Sequence, residues 1–432
     1  MSTKPFLRAR LPLAGLAVAL LAPLAGCAVQ PVTDTRSAAG LAMRQVLPEA
    51  ATALPDVVAA TGRIGVGMLA GAPRDANVVT SPSSLAVALA MLTEGARGAS
   101  LAQLEQVLGA TGEQRRDAFA ALRGALADLD GDPAVATAKE LPENPVVHLA
   151  DQLVIDDGYA ADQAYLEALA DGFGAGVQRA DLSSAAGKRV LSAWADQHTG
   201  GLIKESAIEP HPDLRLVLQD AILLAARWQV PFDANETAPR PFVLGDGTTA
   251  EVETMSASKP VAYAQLNGWT AVRLPYAGGR LHADLVLPPA GTDPAAVTPE
   301  VLTGLSAGLA AAAPQPVRLT LPTLGLKPEP LDLLDTLAAI GAPAVLCDSP
   351  EVDLSGIGPG ALCVQQAKQQ AVLQVDEEGT VAAALTELGI RETSLPAEPE
   401  LALHLDRPFL VQVSDGRTAW PLFLAAVRDP RR

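Results

Sequence analysis

A strand-like run with no evident neighbour to pair with constrains this chain more than any other feature. Residues 365–398 open with alternating apolar positions, Ala371, Leu373 and Val375. They then meet the acidic triplet Asp376, Glu377 and Glu378 and a glycine, Gly379, where the chain is expected to turn. Beyond the glycine, Thr380, Val381, Ala382, Ala383 and Ala384 are too small and too poor in Pro, Asn and Ser for an ordinary surface loop. Split by parity, one face carries Thr380, Ala382, Ala384, Thr386, Leu388 and Ile390, and the other Val381, Ala383, Leu385, Glu387, Gly389 and Arg391. The first face is uncharged and suits a packed core, whereas the second directs its two charges to water. An Ala-rich helix capped near Gly389 is the alternative reading of the same residues. Residues 394–400, SLPAEPE, follow as a breaker-rich acidic patch, an exposed place to cut. As a strand, this run demands a fold that holds it outside its sheets.

The rest of the chain has the material for such a fold. Its 432 residues are 49% hydrophobic, enough for one large or two ordinary domains, and with only 3% aromatics the core must rely on Ala, Leu and Val. A net charge of -18 without any basic cluster argues against a nucleic-acid partner. At the N-terminus, Lys4, Arg8 and Arg10 precede an uncharged apolar run at residues 11–24, too short to span a membrane comfortably. It ends in Leu24-Ala25-Gly26-Cys27, which resembles a bacterial lipobox. The resemblance implies cleavage before Cys27, lipid on its thiol, and a protein at the extracellular face of the cell membrane; a plain secretory signal or a retained anchor stays open. Membrane contact is then through the lipid alone, residues 28–45 form a tether, and residues 46–432 form the folded domain. In an exported protein Cys347 and Cys363 can pair as a disulfide, the alternative being two buried free thiols.

Punctuation along the chain is clear. After a helical stretch at residues 47–69, NVVTSPSSL gives a short strand and a helix capped by Ser81 with Pro82 in its first turn. Ser100 and Gln103 have capping-box spacing for a second helix, which Gly109 ends. Residues 146–155 alternate as a strand, residues 160–173 and 186–199 read as helices, and residues 216–228 are too apolar for an edge strand. Asp220 inside that run needs a partner. Residues 281–287 and 317–321 read as strands and residues 331–340 as a helix, while Asp415-Gly416 marks a C-terminal hairpin. Helices lie mainly early and strands late, an α+β class.

With these residues on the page, the chain resembles a serpin from about residue 50 to Pro430. The matching segments occur in family order: NVVTSPSSL with shutter serines Ser81 and Ser84, HTGGLI at Thr199 and Gly200, and WQVPF from Trp228. They continue with LPYAGG, DLSGI, the hinge VDEEGTVAAA and DRPFLV. The resemblance implies three β-sheets, eight or nine helices and an exposed reactive loop at about residues 377–400, hinged at Glu377, Glu378, Gly379, Thr380, Ala382, Ala383 and Ala384. It also implies a monomer, metastable and without a cofactor, that traps serine and sometimes cysteine proteases as a suicide substrate, rather than an enzyme. The cut loop then enters the main sheet, and about ten inserted residues at roughly 0.5–1.5 kcal/mol per net hydrogen bond release several kcal/mol. Counting the family distance from Gly379 places the scissile bond at Thr393-Ser394, which suits an elastase-like or subtilisin-like protease. Arg391 and Leu395 offer trypsin-like and chymotrypsin-like alternatives. At the shutter this chain has Gln369 where many relatives have histidine, and Asp220 where they have asparagine; a Gln369 amide donating to the Asp220 carboxylate would preserve that bond. A non-inhibitory serpin serving as a cell-surface binding or scaffold protein is the runner-up.

Competing motifs are weak. Ser256-Ala257-Ser258-Lys259 has S-x-x-K spacing, but Pro260 follows at once and no K-T-G partner is present. His148, His198, His211, His282 and His404 show no metal spacing. Asp128, Asp130 and Asp132 imitate a calcium loop, yet its twelfth position is Lys139 and Pro133 intervenes.

Overall fold

Capping chemistry sets the helices of the N-terminal half. The computed structural model describes residues 43–380 and 401–431. Cys27 and loop residues Ala382, Ala383, Ala384, Arg391, Thr393, Ser394 and Leu395 lie outside the described residues. Helix α1 (Leu54–Gly71) leads to strand β1 (Val78–Thr80). Ser81 then caps α2 (Pro82–Gly95), its hydroxyl accepting the Ser84 amide at 3.2 Å. Helix α3 (Gly98–Leu108) ends as expected at Gly109, whose φ of +75° favours glycine.

The capping box expected at the start of α3 does not form, because the helix begins before Ser100. Ser100 Oγ donates to the Ala344 carbonyl at 2.5 Å and Gln103 Oε1 accepts the Ala344 amide at 2.8 Å, so both residues anchor a remote segment. There follow α4 (Gly112–Leu126), β2 (Val146–Asp156), α5 (Gln163–Phe173), β3 (Gly176–Ala180) and α6 (Ala185–His198). The folded part reaches back into the expected tether. Arg44, within residues 28–45, donates to Glu113 at 2.6 Å and Asp117 at 2.9 Å and lies 3.4 Å from Asp171.

The second half is mostly sheet: β4 (Leu216–Arg227), β5 (Ala238–Val243), β6 (Thr249–Leu266), β7 (Trp269–Pro275) and β8 (Leu281–Leu287). After helix α7 (Pro299–Ala311) come β9 (Gln315–Pro322), β10 (Leu324–Leu326) and β11 (Leu331–Asp332). Helix α8 (Leu334–Ala339) is shorter than expected, because Leu331 and Asp332 pair with β12 (Lys368–Gln369) instead. The chain ends in β13 (Leu373–Val375), β14 (Gly379–Thr380), β15 (Leu401–His404) and the expected hairpin of β16 (Phe409–Asp415) with β17 (Pro421–Val427).

Among the described residues these strands make three sheets, in a mixed α+β arrangement with eight α-helices. A nine-stranded sheet runs β1-β17-β16-β8-β7-β6-β9-β15 with β5 on β6, a six-stranded sheet runs β10-β13-β14-β4-β2-β3, and β11 pairs with β12. Around Trp420, Tyr276 and Phe119 the core is filled by Ala, Leu and Val, as the scarcity of aromatics requires.

Strand β4 is central, and its two flanks are unlike. On one side it pairs with β2 from Leu216↔Ile155 to Ala225↔Val146. On the other, among the described residues, it pairs with β14 only at Ala226 and Arg227. A cavity of about 670 Å³ lies between the open stretch of β4 and residues 365–373. Leu224 and Ala226 face the main core, whereas Val217 packs with Leu191 of α6. The S-x-x-K stretch lies within β6, where strand geometry turns Ser256 and Lys259 to opposite faces.

Candidate functional site

The site is built from the point where the chain leaves β13 and turns back as β14. Asp376 organises the turn: its Oδ1 accepts the amides of Glu378 and Gly379, each at 3.0 Å, and its own amide donates to the Gly379 carbonyl. Burial pushes the Asp376 carboxyl up, and the two amides pull it down. From the opposite strand, the Trp228 amide donates to the Glu378 carbonyl at 2.7 Å and its indole to the Asp376 carbonyl at 3.0 Å. Glu377 is held twice, by the Phe232 amide at 2.8 Å on its carbonyl and by the Thr237 hydroxyl at 2.6 Å on its carboxylate.

Gly379 serves here for a reason other than the one the sequence suggested. Its φ is outside the left-handed region, so turning does not require it. An added Cβ would stand 2.1 Å from the Ala226 carbonyl oxygen, and close backbone approach is what excludes a side chain. Thr380 is buried between β13 and β4, opposite Val375 on one side and Ala226 on the other. Its hydroxyl lies 2.5 Å from that of Tyr276, a fully buried phenol pushed up by burial, whose ring stacks on Trp228 at 4.6 Å and 9°. Lys259 secures the neighbouring segment by donating to the Val230 and Pro231 carbonyls, with its ammonium 4.0 Å from the Phe232 ring centroid. Burial lowers that lysine to about 8.

Halfway down, the cavity is lined by Ser81, Ser84, Asp220 and Gln369, the residues expected at a shutter, with other bonds than expected. Gln369 accepts the Ser81 amide and donates to the Ser81 carbonyl, both at 2.9 Å, so its amide is consumed by α2's cap and does not reach Asp220. Ser81 Oγ donates to the Leu422 carbonyl at 2.8 Å. Asp220 instead stands opposite Asp151 of β2, and Ser84 is close enough to favour its charged form. At the lower end, Gln366 accepts the Glu209 amide and donates to the Glu209 carbonyl, both at 2.9 Å, tying the α6–β4 connection to the far bank. Just beyond, Cys347 and Cys363 are joined in a disulfide with Cα atoms 4.8 Å apart.

Several of these contacts escape sequence reasoning. Asp151 and Tyr276 gain significance only from register, and nothing in the primary structure pairs His148 with His198. His148 Nε2 lies 2.9 Å from His198 Nδ1, and Asp130 Oδ1 lies 2.8 Å from His148 Nδ1. Burial and the neighbouring His148 bring His198 down to about 4. The other two aspartates of the apparent calcium loop are also occupied, Asp128 by Arg280 at 2.6 Å and Asp132 by the Ala134 amide at 2.9 Å. Among the described residues no group of His, Cys, Asp and Glu is arranged to hold a metal, and no helix is long and apolar enough to cross a membrane.

Comparison with known proteins agrees with this geometry. Among solved structures, the thermophilic serpin Tengpin in its native state superposes with a TM-score of 0.75 at 20% identity, covering 90% of this chain and 96% of that one. Thyroxine-binding globulin in complex with thyroxine gives 0.71 at 22% identity, over 87% and 99%. In sequence, Iripin-8 of Ixodes ricinus is 29% identical over 382 residues, 85% of this chain and 92% of its own length. Serpin A3-2 of Bos taurus is 30% identical over 368 residues, 82% and 84% of the two chains. Residues 66–430 match the family model described as serpin, serine protease inhibitor. The chain belongs to the serpins, protease inhibitors rather than enzymes.

Proposed function

We propose that this serpin is a suicide-substrate inhibitor of extracellular serine proteases, with residues 377–400 as its reactive loop. One observation carries the reading: β14 already occupies the top of a gap whose remaining length on β4 is unpaired among the described residues. Continuing the β14 register brings Ala382 opposite Leu224, Ala384 opposite Ile222, Thr386 opposite Asp220 and Ile390 opposite Leu216. Thr380 faces the core, so the same parity turns the small, uncharged set of loop side chains inward. Residues 381–390 match the open positions of β4 one for one.

A target protease attacks the Thr393 carbonyl with its serine hydroxyl, the Ser394 amine leaves, and Thr393 is held as an ester. Insertion of the freed segment then carries the esterified enzyme along the sheet and pulls its serine away from base and oxyanion donors. Those contacts tolerate little displacement, so water fails to release the enzyme. A threonine before the cut favours an elastase-like or subtilisin-like protease, with cleavage after Arg391 or Leu395 as the alternatives. Lipid on Cys27, as the lipobox resemblance implies, would hold this activity at the outer face of the membrane.

The test is incubation with elastase-, subtilisin-, trypsin- and chymotrypsin-like enzymes, then denaturing electrophoresis and sequencing of the released C-terminal peptide. A covalent complex and a peptide beginning at Ser394 are expected. Cleavage by every enzyme without complex would favour a binding or scaffold role, in line with the thyroxine complex of thyroxine-binding globulin among the similar solved structures.

A further inference from the structure

At the middle of the slot two acids face each other across strands. Asp220 of β4 stands directly opposite Asp151 of β2, and the oxygens of both carboxyls are buried. One counter-charge serves both: Arg123 of α4, itself buried, brings Nη2 to 2.5 Å from Asp151 Oδ2. With both acids ionised, none of the four oxygens has a donor in hydrogen-bonding geometry. Opposed buried carboxylates with a single cation do not both ionise; one shared proton removes the repulsion and supplies the missing donor.

We propose that Asp151 and Asp220 hold one proton between them, and that this proton fastens β2 to β4 as one bank of the slot, so that losing it in alkali eases opening of the sheet. The surroundings support this. Burial first, then the Asp151 charge and a bond to Asp151, push the Asp220 carboxyl well above the ordinary range, against smaller opposing pulls from Ser84 of α2 and Arg123. Tyr165 of α5, which lines the same cavity, is kept protonated by burial, and His198 of α6, which feels the Asp151 charge, is neutral above about 4. Gln369 on the opposite bank is uncharged and bonded through both its oxygen and its nitrogen to Ser81. Because the folded-state value is raised, the proton's contribution is complete below the ordinary aspartate range and is lost as pH rises through the raised value.

The effect on opening rests on the insertion reading; the proton itself does not. The melting temperature of the intact, uncut protein, followed from about pH 6 to about pH 9, should fall with rising pH in the wild type. That fall should be absent in Asp220→Asn, whose amide donates to Asp151 without titrating, and in Asp151→Asn, which frees Arg123 for Asp220, leaving in both only the rise that Lys259, held at about 8, contributes at the upper end. Infrared difference spectra of the wild type should show a buried protonated carboxyl that both variants lack, a readout that survives should one variant fold poorly. Spontaneous conversion of uncut wild type to a heat-resistant form should be about tenfold faster at the upper pH, with no such change in Asp220→Asn. Equal pH slopes in wild type and Asp220→Asn, or no infrared band, overturn the shared proton; a band with a pH-independent conversion rate overturns its link to opening. If cut protein gains no heat resistance, the insertion reading fails while slope and band still report on the proton.

Discussion

Replacing Gly379 by Ala pits one methyl group against the seating of the hinge. The new Cβ would stand 2.1 Å from the Ala226 carbonyl oxygen and 2.8 Å from Arg227 Cα, both backbone atoms of a central strand that cannot yield. Relief requires β14 to withdraw from β4 by more than an ångström, which breaks the pairing of Gly379 with Arg227 and of Thr380 with Ala226. At about 1 kcal/mol for each of about two ladder bonds, plus about 1 kcal/mol or more for the buried Tyr276 hydroxyl left without Thr380, seating weakens by about 3 kcal/mol. That is roughly a hundredfold in the seated population, before any further cost of continuing the strand downward. Hydrogen exchange over residues 376–380 should report it as a comparable loss of protection, and the cut protein should gain much less heat resistance than cut wild type. Gly325→Ala is the control, since it lies on β10 of the same sheet with nothing within 4 Å of its added methyl. Wild-type protection and wild-type insertion in Gly379→Ala, or equal losses in Gly325→Ala, would refute the reasoning.

Two further outcomes follow from single contacts. Gln366→Ala removes two exposed hydrogen bonds that strap the α6–β4 connection across the lower slot. At about 0.5 kcal/mol each, conversion of the cut protein to its heat-resistant form should be about fivefold faster with little change in intact stability, and an unchanged rate would discount the strap. His198, held at about 4 against an ordinary 6.5, lends stability that is complete above its ordinary value and is lost as pH falls from there towards 4. His198→Asn should therefore flatten the acid side of a denaturation-midpoint profile, and an unaltered acid limb would contradict that assignment.

Features that depend on neighbours in sequence were legible, whereas those that depend on neighbours in space were not. Ser81 and Pro82 ahead of an apolar stripe mark a helix start, and the apolar run containing Leu223 and Leu224 has nowhere to go but the middle of a sheet. A glycine at 379 is visible in the sequence, but its purpose depends on the Ala226 carbonyl, which lies far away in the chain. Ser100 and Gln103 have the spacing of a cap, yet the segment at Ala344 outbids the helix end for both. Asp220 advertised a missing partner; that the partner is a second acid follows only from the β2–β4 register. The departures at Gln369 and Asp220 were visible as residue types, but their separation, Gln369 bonded to Ser81 and Asp220 facing Asp151 within its own bank, is a property of the open slot.

The most direct trial of the account is to cut the loop between residues 390 and 396 and compare melting of the cut and intact chains under one set of conditions. Entry of residues 381–390 beside β4 predicts a large rise in melting temperature, together with new amide protection along positions 216–225 of β4, which have no partner on that flank among the described residues. Identical melting temperatures and unchanged protection there would contradict it.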